Sequence, residues 1–245
     1  LDQRLDVSAW RLDMGKGTDN NGAESYGLGV WQRGANHPDF VLESWNCTTG
    51  SVTQEIFNDA ILPGWYTLTA QISYRDGNYE NPAAKYVAGE ELTRNAFLIA
   101  GEGEGKVTGN VPFITDYANK VPGLGRLDAS GTLRYPDNCA TAAEDYFQNG
   151  CYWATPILFE VTEENKGFLS IGFEKTDCTK FDWVVADNFR LLYYGTEKPT
   201  GIEGVSEQVA PWQQNGTAIY NLQGQRLSRI QKGVNIVNGK KVMYK

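Results

Sequence analysis

The run Trp65-Tyr66-Thr67-Leu68-Thr69-Ala70-Gln71-Ile72-Ser73-Tyr74-Arg75 constrains the chain most. Its odd and even positions differ in kind. Tyr66, Leu68, Ala70, Ile72 and Tyr74 are apolar, whereas Trp65, Thr67, Thr69, Gln71, Ser73 and Arg75 are mostly polar. A period of two places each set on its own side of a β-strand. A strand dry on one face and wet on the other belongs to an antiparallel sheet that packs on one side only. Leu62-Pro63-Gly64 supplies the turn into it, with Pro and Gly in type II order.

Further strands are expected at Leu5 to Leu12, Gly27 to Arg33, Phe40 to Trp45, Ser51 to Phe57, Ala96 to Ala100, Pro156 to Val161, Phe168 to Glu174 and Asp187 to Tyr194. Many short strands separated by turns predict two packed antiparallel sheets, an all-β sandwich. One helix is expected, Asn138 to Gln148, stopped by Asn149-Gly150. The stretch from Gly101 to Pro136 reads as a long Gly- and Pro-rich loop, of the kind that carries function or moves. A composition break at Gly195 to Gly201 divides the chain into a sandwich over 1–196, a linker over 197–216 and a small β module over 217–245. Asn238-Gly239 within that module is a hairpin signal.

The 245 residues suffice for one large core. A formal net charge of −8 repels phosphate backbones and argues against a nucleic-acid partner. No run of 18 apolar residues is present, so no membrane-spanning helix is expected. The four cysteines, Cys47, Cys139, Cys151 and Cys178, lack the C-x-x-C spacing of a zinc site. Cys139 and Cys151 lie close enough in sequence to bridge a loop in an oxidising compartment; four buried thiols are the alternative.

Several segments carry a family resemblance. They are Leu62 to Ala70 running into Tyr74-Arg75-Asp76-Gly77, then Ala142-Ala143 through Phe147, Gly150 and Tyr152, then Leu169-Ser170-Ile171-Gly172 followed by Trp183 and Asp187 to Gly195. In this order, over about residues 40–195, they resemble a galactose-binding-like jelly-roll family of exported proteins of gut and oral Bacteroidota. The tail, Ile219-Tyr220-Asn221-Leu222-Gln223-Gly224-Gln225, Lys232 to Ile236 and Gly239 to Val242, is similar to the sorting domain of the type IX secretion system, with Asn235 where an aromatic is common. The resemblance implies export and a jelly roll, and a secreted or cell-surface location. It does not name a ligand, because a fold is shared by many functions.

Sugar sites on β-sandwiches combine an aromatic ring, laid against a pyranose, with polar side chains that reach hydroxyls. Trp65, Gln71 and Arg75 share one strand face, and Tyr79, Trp153 and Trp183 add rings, as do Trp31 and Tyr152. The first six are the candidate ligand-binding residues; the competing reading places these rings in the core. Asp187, with Asp39 or Glu43 facing it, is the candidate set for a structural Ca²⁺, against a reading in which Asp187 caps a turn. Nothing points to catalysis. His37 is the sole histidine, and no Gly-x-Ser-x-Gly elbow exists. Gly101 to Val107 fails the phosphate-loop spacing. No carboxylate pair stands out for glycosidase chemistry. A non-catalytic, surface-exposed glycan binder is therefore expected. The alternatives are an adhesion or assembly subunit that docks another surface protein, or an accessory domain of a glycan-degrading system.

Overall fold

The computed structural model describes residues 9–32, 40–101 and 103–199, and in the tail residues 219–220, 226–227, 233–237 and 240–244. The chain divides into two compact units, Leu1–Ile202 and Glu203–Lys245. The larger is a β-sandwich of two five-stranded antiparallel sheets. One sheet comprises β1 (Trp10–Lys16), β4 (Cys47–Phe57), β11 (Phe168–Lys175), β6 (Ala96–Ala100) and β7 (Val107–Asn110), in that order. The other comprises β10 (Ile157–Val161), β5 (Gly64–Arg75), β12 (Trp183–Gly195), β3 (Phe40–Trp45) and β2 (Gly27–Gln32). A short hairpin, β8 (Arg126–Leu127) with β9 (Arg134–Tyr135), stands apart from both. The smaller unit is a four-stranded sheet of β13 (Ile219–Tyr220), β14 (Arg226–Leu227), β15 (Gly233–Val237) and β16 (Lys240–Tyr244). Val237 pairs with Lys240, and Asn238-Gly239, read as a hairpin turn, lies outside the described residues.

The apolar face of β5 behaves as its alternation dictates. Leu68, Ala70, Ile72 and Tyr74 are buried between the sheets against Val52, Leu98, Leu169, Ile171 and Phe173 of the other layer. Leu68 alone, fully enclosed, contributes roughly 1.5–3 kcal/mol. Close approach of the β11 and β4 backbones explains Gly172, where a Cβ would stand 2.0 Å from the Val52 carbonyl oxygen. Gly172→Ala is therefore expected to cost about 1–3 kcal/mol, read as a fall in the urea midpoint.

The other face of β5 departs from the sequence expectation. It is not wet: Thr67, Gln71, Ser73 and Arg75 are buried. A third layer lies on it, with its own core. Ile114, Leu133, Tyr135, Ala142, Tyr146, Phe147 and Tyr152 pack there with Val41, Trp183 and Val185 of the sheet. Gln71 ties the layers together. Its amide donates to the carbonyls of Phe147 (2.7 Å) and Cys151 (2.9 Å) and accepts from Asn188 Nδ2 (2.7 Å). Asn188 sits in the left-handed region (φ 51°), where β12 slips register between Asp187 and Arg190. The slip is a bulge, and within it Phe189 turns inward against Trp10.

The stretch 103–136 is thus structural: β7 edges the first sheet, while β8, β9 and a short helical turn at Ile114–Tyr117 belong to the cover of the second. The helix expected over 138–148 is present as a wide turn over Thr141–Phe147, in which Gln148 N–H reaches back to Ala143 O. A second helix, α1 (Asn81–Ala88), escaped the sequence reading although Pro at its start and left-handed Gly89 at its end mark it. The four cysteines are thiols, two of them, Cys47 and Cys151, buried. Among the described residues no helix is long and apolar enough to cross a membrane.

Candidate functional site

The third layer leaves one side of the outer face uncovered. There a cleft of about 540 Å³ opens between the sheet and the segment 137–140. Strand register shows why. Trp31, Gly29 and Gly27 of β2 stand opposite Val41, Glu43 and Trp45 of β3. Glu43 and Trp45 in turn face Val185 and Trp183 of β12, and Trp183 faces Arg75 of β5. All of these point to the same side. The glycines keep the floor low, and a Cβ at Gly29 would meet nothing within 4 Å. Trp31, 48% exposed, stands at the edge of the floor as a half-exposed aromatic ring. Asp137, Asn138 and Cys139 form the facing wall.

Arg75 builds this wall rather than reaching for a ligand. It is 5% exposed. Its guanidinium donates to Asp137 Oδ1, Gly77 O and Phe181 O, each at 3.2 Å, and lies 5.3 Å over the Trp183 ring. Arg126 holds the second oxygen of Asp137 at 2.7 Å and also grips Glu80. The wall is thereby clamped from two sides.

Glu43 is the polar centre of the floor. Trp183 Nε1 donates to its carboxylate at 2.7 Å. Burial pushes its pKa above the usual carboxylate range, while hydrogen bonds from Cys139, Trp183 and Trp31 and the charge of Arg75 pull it back. Burial, with Glu43 beside it, pushes the Cys139 thiol far up, so that it stays protonated. A carboxylate beside open space and next to an exposed indole accepts hydrogen bonds from hydroxyl groups.

The folded-state pKa of Glu43 lies above its unfolded value, so the folded protein holds the extra proton in the window between them. Stability from this group therefore rises as pH falls through that window, and the charged form costs stability at neutral pH. Glu43→Gln keeps an acceptor for Trp183 and removes the buried charge. It is expected to raise the melting temperature at pH 7 while weakening hydroxyl ligands on the order of tenfold, measured by calorimetry.

The residues singled out from sequence are dispersed. Arg75 and Trp183 reach the cleft. Gln71 is consumed by the third layer. Tyr79 is buried, its hydroxyl bonded to Arg126 O and Tyr135 O. Trp153 lines a separate, more polar recess of about 350 Å³ with Arg94 and Tyr117, and Arg190 lies 4.1 Å over its ring. Trp65 sits at the far end of β5 with Lys198 over its face. Of the calcium set, Glu43 belongs to the cleft and Asp187 lies on the same sheet face. Asp39, like His37, falls outside the described residues. Among the described residues no group of three potential metal ligands occurs. Trp45, Asp137 and Asn138 were not anticipated, nor was Glu43 in this role. The alternation Gly27-x-Gly29-x-Trp31, two missing side chains and a ring on one strand face, is the signal that points to them. Comparison with family models, with curated proteins and with solved structures finds no match to this chain.

Proposed function

We propose that the chain is a non-catalytic carbohydrate-binding protein acting outside the cell, and that the cleft above β2 and β3 is its glycan site. The carrying observation is the exposed Trp31 ring beside a glycine-cleared floor, with Glu43 on the floor and Asp137 and Asn138 on the wall. A ring stacks on the apolar face of a sugar, and flanking carboxylate and amide groups take its hydroxyls. The jelly-roll connectivity and the exported location that the family resemblance implies belong to the same reading. So does a partner that is a glycan rather than nucleic acid, given the net charge of −8.

Binding to an array of plant, mucin and host glycans, followed by calorimetry, tests this. Trp31→Ala is expected to weaken the bound glycan about tenfold and lower the melting temperature only slightly, because the ring is half exposed and Glu43 keeps its bonds from Trp183 and Cys139. Silence across the whole array overturns the proposal.

Protein recognition is the second reading, and one observation favours it. Phe57 (74% exposed, paired with Phe168 at 4.9 Å), Leu62 and Tyr193 present apolar surface at the end of the sandwich remote from the cleft.

A further inference from the structure

From the shape and charge of the cleft we infer that it takes an uncharged oligosaccharide laid along β3, not a terminal monosaccharide and not an acidic glycan. This rests on the glycan reading and specifies its ligand.

Length comes first. Trp31 stands opposite Val41, and Trp45 lies four residues further along β3 on the same face. At about 3.3 Å per residue their Cα positions are roughly 13 Å apart along the strand. A pyranose is no wider than the benzo ring of an indole, so one sugar cannot span that floor. Between the two tryptophans this face of β2 and β3 offers Gly29 and Glu43, with the buried Val185 of β12 beside them. That is a trough with an acceptor at its middle and an aromatic platform at its open end. Trp45 is backed by Phe181, stacked at 6.2 Å, and so closes the inner end as a fixed wall. A ligand that gains from both ends must extend through the middle.

Charge comes second. The described charged groups that line the trough are Glu43, Asp137 and Arg75. Arg75 is the one cation among them, and it is buried and committed to three oxygen acceptors with its face against Trp183. Asp137 is compensated by Arg75 and Arg126, so a uronate or sulfate would meet the Glu43 carboxylate with both nearby guanidinium groups already committed, a repulsion that operates at short range even in salt. Sugar hydroxyls, as donors, suit the same carboxylates.

The test is calorimetry with uncharged homo-oligosaccharides, from monosaccharide to hexasaccharide, in the series that the array identifies, and with oligouronates of equal length. Affinity is expected to climb at least about tenfold from one unit to three. Trp31→Ala should erase about fivefold to tenfold of the gain for the longer chains and leave the monosaccharide unchanged, and Trp31→Phe should restore part of it. Oligouronates should bind at least about tenfold more weakly than their neutral counterparts. A monosaccharide as tight as the trisaccharide, an equal loss for short and long ligands in Trp31→Ala, or oligouronates as tight as neutral chains each overturns this inference while leaving glycan binding intact. No binding by any sugar would instead remove the functional reading itself.

Discussion

Replacing Lys175 by Met is expected to lower the free energy of unfolding by about 3–5 kcal/mol. Lys175 ends β11 with its side chain fully enclosed. Its ammonium donates to Asp182 Oδ1 at 2.5 Å and to Cys47 O. Asp182, equally enclosed, also accepts from the Tyr74 hydroxyl (3.3 Å) and from Thr179 N–H (3.2 Å). The pair therefore joins β11 of one sheet to the residue just ahead of β12 in the other. Burial pushes the Asp182 carboxyl upward, and Lys175 is the main group opposing that push. Met fills the volume but leaves the carboxylate without its cation. The variant should recover part of the loss at acidic pH, where Asp182 is protonated. It should also recover part when Asp182→Asn is added, since removing both charges is cheaper than stranding one. Denaturant titrations of the two variants at pH 7 and pH 5 check this. Equal stability of wild type and Lys175→Met contradicts it.

Arg75→Ala is expected to cost a comparable amount, about 3–5 kcal/mol, and to abolish ligand binding as well. The guanidinium is nearly enclosed and satisfies Asp137, Gly77 and Phe181 at once. Phe181 has its backbone in the left-handed region (φ 65°), unusual for a bulky residue, and its carbonyl is one of the atoms Arg75 holds. Removing the side chain frees the wall at residue 137 and uncovers Trp183. Arg75→Lys should rescue little, because one ammonium cannot reproduce three planar donors. The contrast with Trp31→Ala separates the two roles. Arg75 variants lose several kcal/mol of stability together with binding, whereas Trp31 variants lose binding with little loss of stability. Thermal melts paired with calorimetry read both.

The sandwich was legible because one strand states it openly. The apolar alternation of Tyr66 to Tyr74 has a single good solution, and Leu68 and Ile72 are buried as it requires. The covering layer was not legible. Gln71, Ser73 and Arg75 look like solvent-facing residues, since polarity alone does not distinguish water from a roof that supplies hydrogen-bond partners. The roof comes from the Gly- and Pro-rich stretch 101–136 together with the helical segment after it, in which Ile114, Tyr135, Tyr146 and Tyr152 recur without period, so nothing local marks them as a second core. The cleft failed to show for a related reason. Glu43 and Asp137 are 94 positions apart, and only the folded path of the 137–140 segment sets one across from the other. Aromatic content overcounts candidate ligand residues, because Tyr79, Tyr152 and Trp183 are buried and serve packing before anything else.

The most direct test of the account follows the indole N–H resonances of the tryptophans during titration with a bound oligosaccharide. Signals of Trp31, Trp45 and Trp183 should shift together and saturably, while those of Trp10 in the core and Trp65 at the far end of β5 stay in place. Movement confined to Trp65 or Trp153, with Trp31 silent, would put the ligand elsewhere and contradict the assignment of the cleft.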